Sequence, residues 1–344
     1  MVDSEAALEE FDLLNPSTFL NGHPFDTYDA LRGLSRVHRH PGNAEMDPFW
    51  LLTGHQDVHA VSHDTERFTN EKGFNVTTAG SQMSSISEVI GRNILGFDPP
   101  DHTEFRRALM PAFSGQNLQN LQNLEKMTRE FVRQLLDALP DRAEIDFVKE
   151  IAEPVPIRAL CTMLGIPHED EPKILSWTNK MVGAQDPEVT PNPAAALEAY
   201  MEVFAYGKWL IERRRENPGD DLMSLVAHVN IEGAPISDAT RDGMCATLIA
   251  AGNETTRNGI SGAIMLMTEF PEQRAALVKQ PELMPNAVAE LLRRYTPIIH
   301  MLRTAKQLRA RHQAFASSVG LRIPVFISLR FKKRLLVWQL PHIY

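Results

Sequence analysis

The 344 residues include 43% apolar side chains, 35 basic and 44 acidic residues, for a formal net charge of -9. That is enough apolar content for a continuous core, and too acidic a body to bind nucleic acid. No uncharged apolar run reaches the ~18 residues that suggest a membrane span. The acidic stretch from Met1 to Phe11 also lacks the basic-then-apolar order of a signal peptide. The expectation is a cytoplasmic protein with no transmembrane segment.

Cys161 and Cys245 form no C-x-x-C pair and are too few for a disulfide framework, so both read as core residues. The charge is unevenly spread. Residues 1–290 hold every Asp and Glu against 24 Lys and Arg, whereas residues 291–344 hold 11 basic residues and no acidic one.

In chain order, Arg36 to His40 and Phe49 to Thr53 are short, β-favouring and bounded by Pro and Gly, which predicts two strands of a small sheet followed by a helix. From Asp101 onward the apolar residues recur at three and four. This period predicts helices over Leu118–Leu139 and Ala195–Arg215, and another from about Pro285 to Tyr295. A longer helix is predicted from Ile236, capped by Ser237 or Asp238, through Met265 or beyond. The fold class is mainly α with a small β sheet.

Three segments offer chemistry. In Ala251-Gly-Asn-Glu-Thr-Thr256, a Gly inside a helix costs roughly 1 kcal/mol relative to Ala, and Thr bonds back to the carbonyl one turn earlier. Together they favour a bulge with room for a small ligand. Glu254 and Thr255 would then set a carboxylate beside a hydroxyl, a relay for protons; taken alone, they are equally an ordinary polar patch. In Asp98-Pro-Pro-Asp-His-Thr-Glu-Phe-Arg-Arg107, Asp101 can cap a new helix that carries His102 and Arg106 on one face. Two cations there suit an anion, or merely a solvated face. Glu290 and Arg293 form an intrahelical pair whose spacing recurs at Glu104, Glu130, Glu212 and Glu254, so only the following Tyr295-Thr-Pro297 and Met301-Leu-Arg-Thr-Ala305 distinguish it.

Two patterns mislead. His55, His59 and His63 resemble a metal ladder, and a metal hydrolase is one alternative, but the Glu that a zinc hydrolase places after its first His is absent. Asn253-Glu-Thr255 matches the glycosylation sequon but lies inside a helix expected to be buried.

Taken in order and spacing, the segments resemble the cytochrome P-450 superfamily from about Asp12 to Ala305. The resemblance implies haem b as cofactor, with His102, Arg106 and Arg303 on its propionates. It implies an oxygen groove at Ala251 and Gly252, proton delivery by Glu254 and Thr255, and a structural pair at Glu290 and Arg293. It also implies electrons from a ferredoxin and its NAD(P)H-dependent reductase. The oxygen inserted would go into a hydrophobic substrate, the wording being most similar to sterol, terpenoid and branched-lipid hydroxylases. Specificity would lie in Phe74–Ile94, Met181–Tyr200 and Ile298–Met301.

The departure is the axial ligand, since the family's Phe-x-x-Gly-x-x-x-Cys-x-Gly loop is absent. The expectation is therefore a family domain over 1–305 without its haem-ligand loop and last helix. A basic tail over 306–344, of frameshift-like composition, would stand outside the fold. No metal ligand is assigned, and activity of this chain is in doubt. A non-catalytic helical protein that binds lipid or haem is the second alternative.

Overall fold

Apolar residues spaced at three and four become helices throughout the computed structural model. It describes residues 11–306, apart from 21, 43–47, 74–92, 114–117, 142–143, 184–189, 191 and 232, together with 322–326. The helices are α1 (Phe25–Leu34), α2 (His55–His63), α3 (Asp101–Leu109), α4 (Leu118–Ala138), α5 (Pro154–Leu164), α6 (Glu171–Val182), α7 (Pro193–Glu216), α8 (Leu222–His228), α9 (Asp238–Glu269), α10 (Pro271–Lys279) and α11 (Met284–Arg294). At 32 residues α9 is about 48 Å long. Ser237 caps it by accepting the Thr240 amide, while Asp238 binds Arg215 and Arg241 instead. A π turn over Val148–Ala152 leads into α5 and left no trace in the sequence pattern.

The expected strands are present as β1 (Val37–His40) and β2 (Phe49–Leu52). They join β3 (Phe68–Thr69), β6 (His300–Ala305) and β7 (Arg322–Phe326) in a sheet of order β1-β2-β7-β6-β3. A short hairpin of β4 (Asn230–Ile231) and β5 (Ala234–Pro235) stands apart.

Strand β7 corrects one expectation, because five residues of the 306–344 tail pair inside the sheet. They run antiparallel to β6, Met301 opposite Val325, and parallel to β2 through Leu52 and Val325. Ile323, Val325 and Phe326 favour a strand, whereas Pro324 argues against a central one, so partners on both sides decide the outcome. Residues 307–321 and 327–344 lie outside the description.

The main core joins α3, α5, α6, α7, α8 and α9 through residues such as Phe105, Leu160, Ile174, Leu210, Met223 and Ile249. A second cluster of Phe11, Tyr28, Leu31, Phe49, Leu51 and Leu302 seats α1 on the sheet. His40, 3% exposed, stacks on Phe49 with ring centroids 4.4 Å apart. Burial holds its pKa below the usual histidine value even though Asp12 lies 3.5 Å away. Burial lowers His23 likewise, opposed by the Thr296 carbonyl.

An imidazole held neutral in the fold is still protonated in the unfolded chain once pH drops below about 6.5, so the unfolded state binds more protons there. Stability is therefore full above that value and falls as pH moves down toward the folded-state pKa. Urea unfolding should show a lower midpoint near pH 5.5 than near pH 7.5. His40→Gln should narrow the gap, and an unchanged gap in the His23→Gln/His40→Gln double variant would exclude these two groups as its source.

Candidate functional site

The site builds on the middle of α9. The helix is continuous through Ala251–Thr256, so the expected bulge is absent among the described residues. The back-bonds themselves are present, Thr255 Oγ1 donating to the Ala251 carbonyl at 2.9 Å and Thr256 Oγ1 to the Gly252 carbonyl at 3.1 Å, without breaking the helical ladder. Gly252 serves close packing, since a Cβ there would meet Leu160 Cδ1 of α5 at 2.6 Å. Thr247, Ala251 and Thr255 recur at four on one face; Ala251 is exposed and Thr255 half-exposed.

Glu254 and Thr255 are neighbours in sequence, yet no hydrogen bond joins their side chains among the described residues. The Glu254 carboxylate is bound by Arg257, and its Oε1 also accepts from Asn258 at 3.0 Å, while its buried Oε2 has no partner among the described residues. Arg257 extends the network. Its Nη1 donates to Glu153 Oε1 at 2.9 Å and to Asn179 Oδ1 at 2.8 Å, and Asn179 Nδ2 donates to the same Glu153 oxygen at 3.0 Å. One guanidinium thus ties α9 to the end of the π turn and to α6. Sequence reasoning missed this role, and Glu254-x-x-Arg257 was its one visible signal. Asn253, fully buried, donates to Thr178 Oγ1 at 3.0 Å, which leaves no room for a glycan.

The second element is the start of α3. Asp101 begins the helix but does not cap it; Pro100 occupies the cap position, and the Asp98 carbonyl accepts the His102 amide at 3.0 Å. The Asp98 side chain, 7% exposed, accepts the Asn70 amide at 3.0 Å and lies 2.9 Å from Lys306 Nζ. Burial pushes its pKa up, but Asn70, Lys306 and Thr69 together hold it below the usual carboxylate range. On α3, half-buried His102 and exposed Arg106 make no side-chain hydrogen bond or ion pair with a described residue.

Arg303 on β6 is half-buried, and among the described residues its Nη1 donates to the Leu302 carbonyl at 2.8 Å. Burial lowers its pKa, and Asp98 counteracts, so Arg303 lies within electrostatic reach of the α3 start. Thus α3 and β6 carry His102, Arg106 and Arg303, none of which forms a salt bridge with a described residue.

Glu290 and Arg293 form a two-pronged pair, Nε to Oε2 at 2.5 Å and Nη2 to Oε1 at 2.6 Å, and the pairing raises the arginine pKa. Of the similar spacings, Glu104–Arg107, Glu130–Arg133 and Glu254–Arg257 also pair, whereas Arg215 turns to Asp238. His59 and His63 of α2 stack with ring centroids 4.1 Å apart, and His63 Nδ1 bonds the His59 carbonyl at 2.9 Å. Among the described residues no three His, Cys, Asp or Glu side chains are grouped to hold a metal ion. Of the expected specificity segments, Phe74–Ile94 lies almost entirely outside the described residues, Met181–Tyr200 does so in part, and Ile298–Met301 runs into β6.

A thiolate-ligated haem needs a cysteine that is ionised and reachable. Cys161 is fully buried in the main core, and burial, with Glu171 adding, pushes its thiol up to about 12. Cys245 is equally buried, its Sγ 3.3 Å from Met223 Sδ and close enough to Gly207 that a Cβ there would lie 2.8 Å away; burial raises its pKa too. The cations of α3 and β6 suit the anionic edge of a haem, but these cysteines do not fit as its axial ligand.

No family model matches the chain. It is 31% identical over 311 residues to linalool 8-monooxygenase of Pseudomonas putida, spanning 87% of this chain and 74% of that protein. It is 30% identical over 289 residues to methyl-branched lipid omega-hydroxylase of Mycobacterium tuberculosis, spanning 82% and 66%. Among solved structures it resembles a Mycobacterium marinum cytochrome P-450 in complex with pseudoionone, with TM-score 0.78 and 27% identity over 92% of this chain and 79% of that one. No described helix is long and apolar enough to cross a membrane.

Proposed function

The chain belongs to the cytochrome P-450 superfamily, being 31% identical over 299 residues to cytochrome P450 130 of Mycobacterium tuberculosis, and from that premise we propose a haem monooxygenase scaffold for a hydrophobic substrate in which this polypeptide supplies no thiolate. The carrying observation is the split between the two halves of the chemistry. Arg303 is half-buried, and among the described residues no carboxylate forms a salt bridge with it, Asp98 acting only at longer range, while both cysteines are sealed in the helical core.

His102, Arg106 and Arg303 would hold the propionates. Ala251, Gly252 and Thr255 would face the oxygen side, and Glu254 would be positioned by Arg257. The substrate class is a terpenoid, sterol or branched lipid, and the names of the relatives above support the terpenoid and the branched lipid. Electrons would come from a ferredoxin and its NAD(P)H-dependent reductase. Sequencing the transcript across residue 305 tests the origin of the composition break.

A non-catalytic lipid- or haem-binding role is the second reading, favoured by the protonated, inaccessible thiols. The test is to titrate the purified chain with haem and record the reduced carbon monoxide difference spectrum. We expect saturable haem uptake without the red-shifted Soret band of a thiolate-ligated iron. Appearance of that band would overturn the lost thiolate. Failure of haem to bind would overturn the cofactor assignment and leave lipid binding.

A further inference from the structure

A groove lies between α6 and α7, lined by residues to which the proposed function assigns no role. On α7, Glu202, Tyr206 and Trp209 fall at i, i+4 and i+7, so they share one face; Lys173 and Trp177 of α6 lie opposite, and Asp170 precedes α6. These six residues line a groove of about 380 Å³, within the size range of small-molecule sites. The rings form a wall. Trp177 meets Tyr206 edge-on at 5.8 Å, Tyr206 meets Trp209 at 5.1 Å, and the Tyr206 hydroxyl donates to Asp170 Oδ2 at 2.6 Å, which fixes its ring.

The groove already holds a cation. Lys173 Nζ stands 5.1 Å from the Trp177 ring centroid and 5.5 Å from that of Tyr206, and Arg213 lies 5.0 Å over Trp209. Aromatic faces attract cations through their quadrupole, and two carboxylates, Asp170 and Glu202, add to that field.

We propose that this groove binds a quaternary ammonium group, which displaces Lys173. A primary ammonium is strongly hydrated, and the exposed Lys173 loses little by returning to water. A quaternary ammonium carries no N–H and sheds its water at lower cost. The ligand is a free choline-type solute or the headgroup of a choline lipid.

Calorimetric titration of the full chain with choline chloride, against sodium chloride at equal ionic strength, tests the proposal. Saturable binding in the millimolar range is expected, with the uncharged tert-butyl analogue of choline weaker by about tenfold or more. Lys173→Ala should tighten choline binding by about threefold or more because the competing cation is gone, whereas Trp209→Ala and Glu202→Gln should each weaken it several-fold. All three positions are exposed, and circular dichroism of each variant checks that the fold is kept.

Co-sedimentation with phosphatidylcholine vesicles that is lost in Trp209→Ala would assign the lipid headgroup. Choline binding without vesicle binding would assign a free solute. Equal affinity for choline and its uncharged analogue, or no saturable binding even in Lys173→Ala, would overturn the site.

Discussion

Arg257→Ala is expected to lower the unfolding free energy by about 3–5 kcal/mol, the range for breaking a buried ion pair from one side. The arginine side chain is 17% exposed, Glu153 17% and Glu254 12%, so the alanine variant leaves two shielded carboxylates and the Asn179 amide oxygen without their shared donor. Arg257→Lys keeps the charge but loses the planar fork, which one ammonium cannot replace at three acceptors, so an intermediate loss is expected. Urea unfolding midpoints for the two variants and the parent check the order. A loss under about 1 kcal/mol for Arg257→Ala would mean that water reaches the network and screens it as it does at a surface pair.

Gly262→Ala is the second large effect, and it depends on one contact. A Cβ at residue 262 would lie 2.0 Å from Tyr295 Cδ1 and 2.1 Å from Cγ, so the ring must move. Tyr295 follows α11 and also meets His23 edge-on at 6.2 Å, which limits where the ring can go. Overpacking of this kind costs about 1–3 kcal/mol.

The same change at Gly259 is the control. Its Cβ would approach Leu292 no closer than 3.4 Å, and the helix gains roughly 1 kcal/mol from replacing Gly, so Gly259→Ala should be near neutral or stabilising. Truncating the ring in Gly262→Ala/Tyr295→Ala should recover part of the loss relative to the sum of the single variants. Strict additivity in thermal or urea unfolding would show that the clash is absorbed elsewhere.

The helices were legible because their burial is one-sided and leaves a period in the sequence: α4, α7 and α11 begin and end within two residues of the expected bounds. The Ser237 cap was legible for a similar reason, its partner being three residues away. What could not be read depends on partners far along the chain. Glu254 invites pairing with the adjacent Thr255, but the groups that engage its network include Glu153 and Asn179, brought in by the π turn and α6. Gly252 reads as space for a ligand, and the space belongs to Leu160. Asp101 has the right residue type for a cap, yet the Asp98 carbonyl takes the amide one turn on. Strand β7 carries Pro324 and owes its existence to β2 and β6.

The contact between Asp98 and Lys306 has a bearing on the composition break itself. Asp98 is a knot: its side chain receives the Asn70 amide beyond β3 and the Lys306 ammonium beyond β6, and its carbonyl receives the first turn of α3. The first residue past the family-like stretch is therefore stitched to the element that presents His102 and Arg106. Trimming the polypeptide back to Ala305 would remove the ammonium from the Asp98 carboxylate, just ahead of the helix that carries His102 and Arg106.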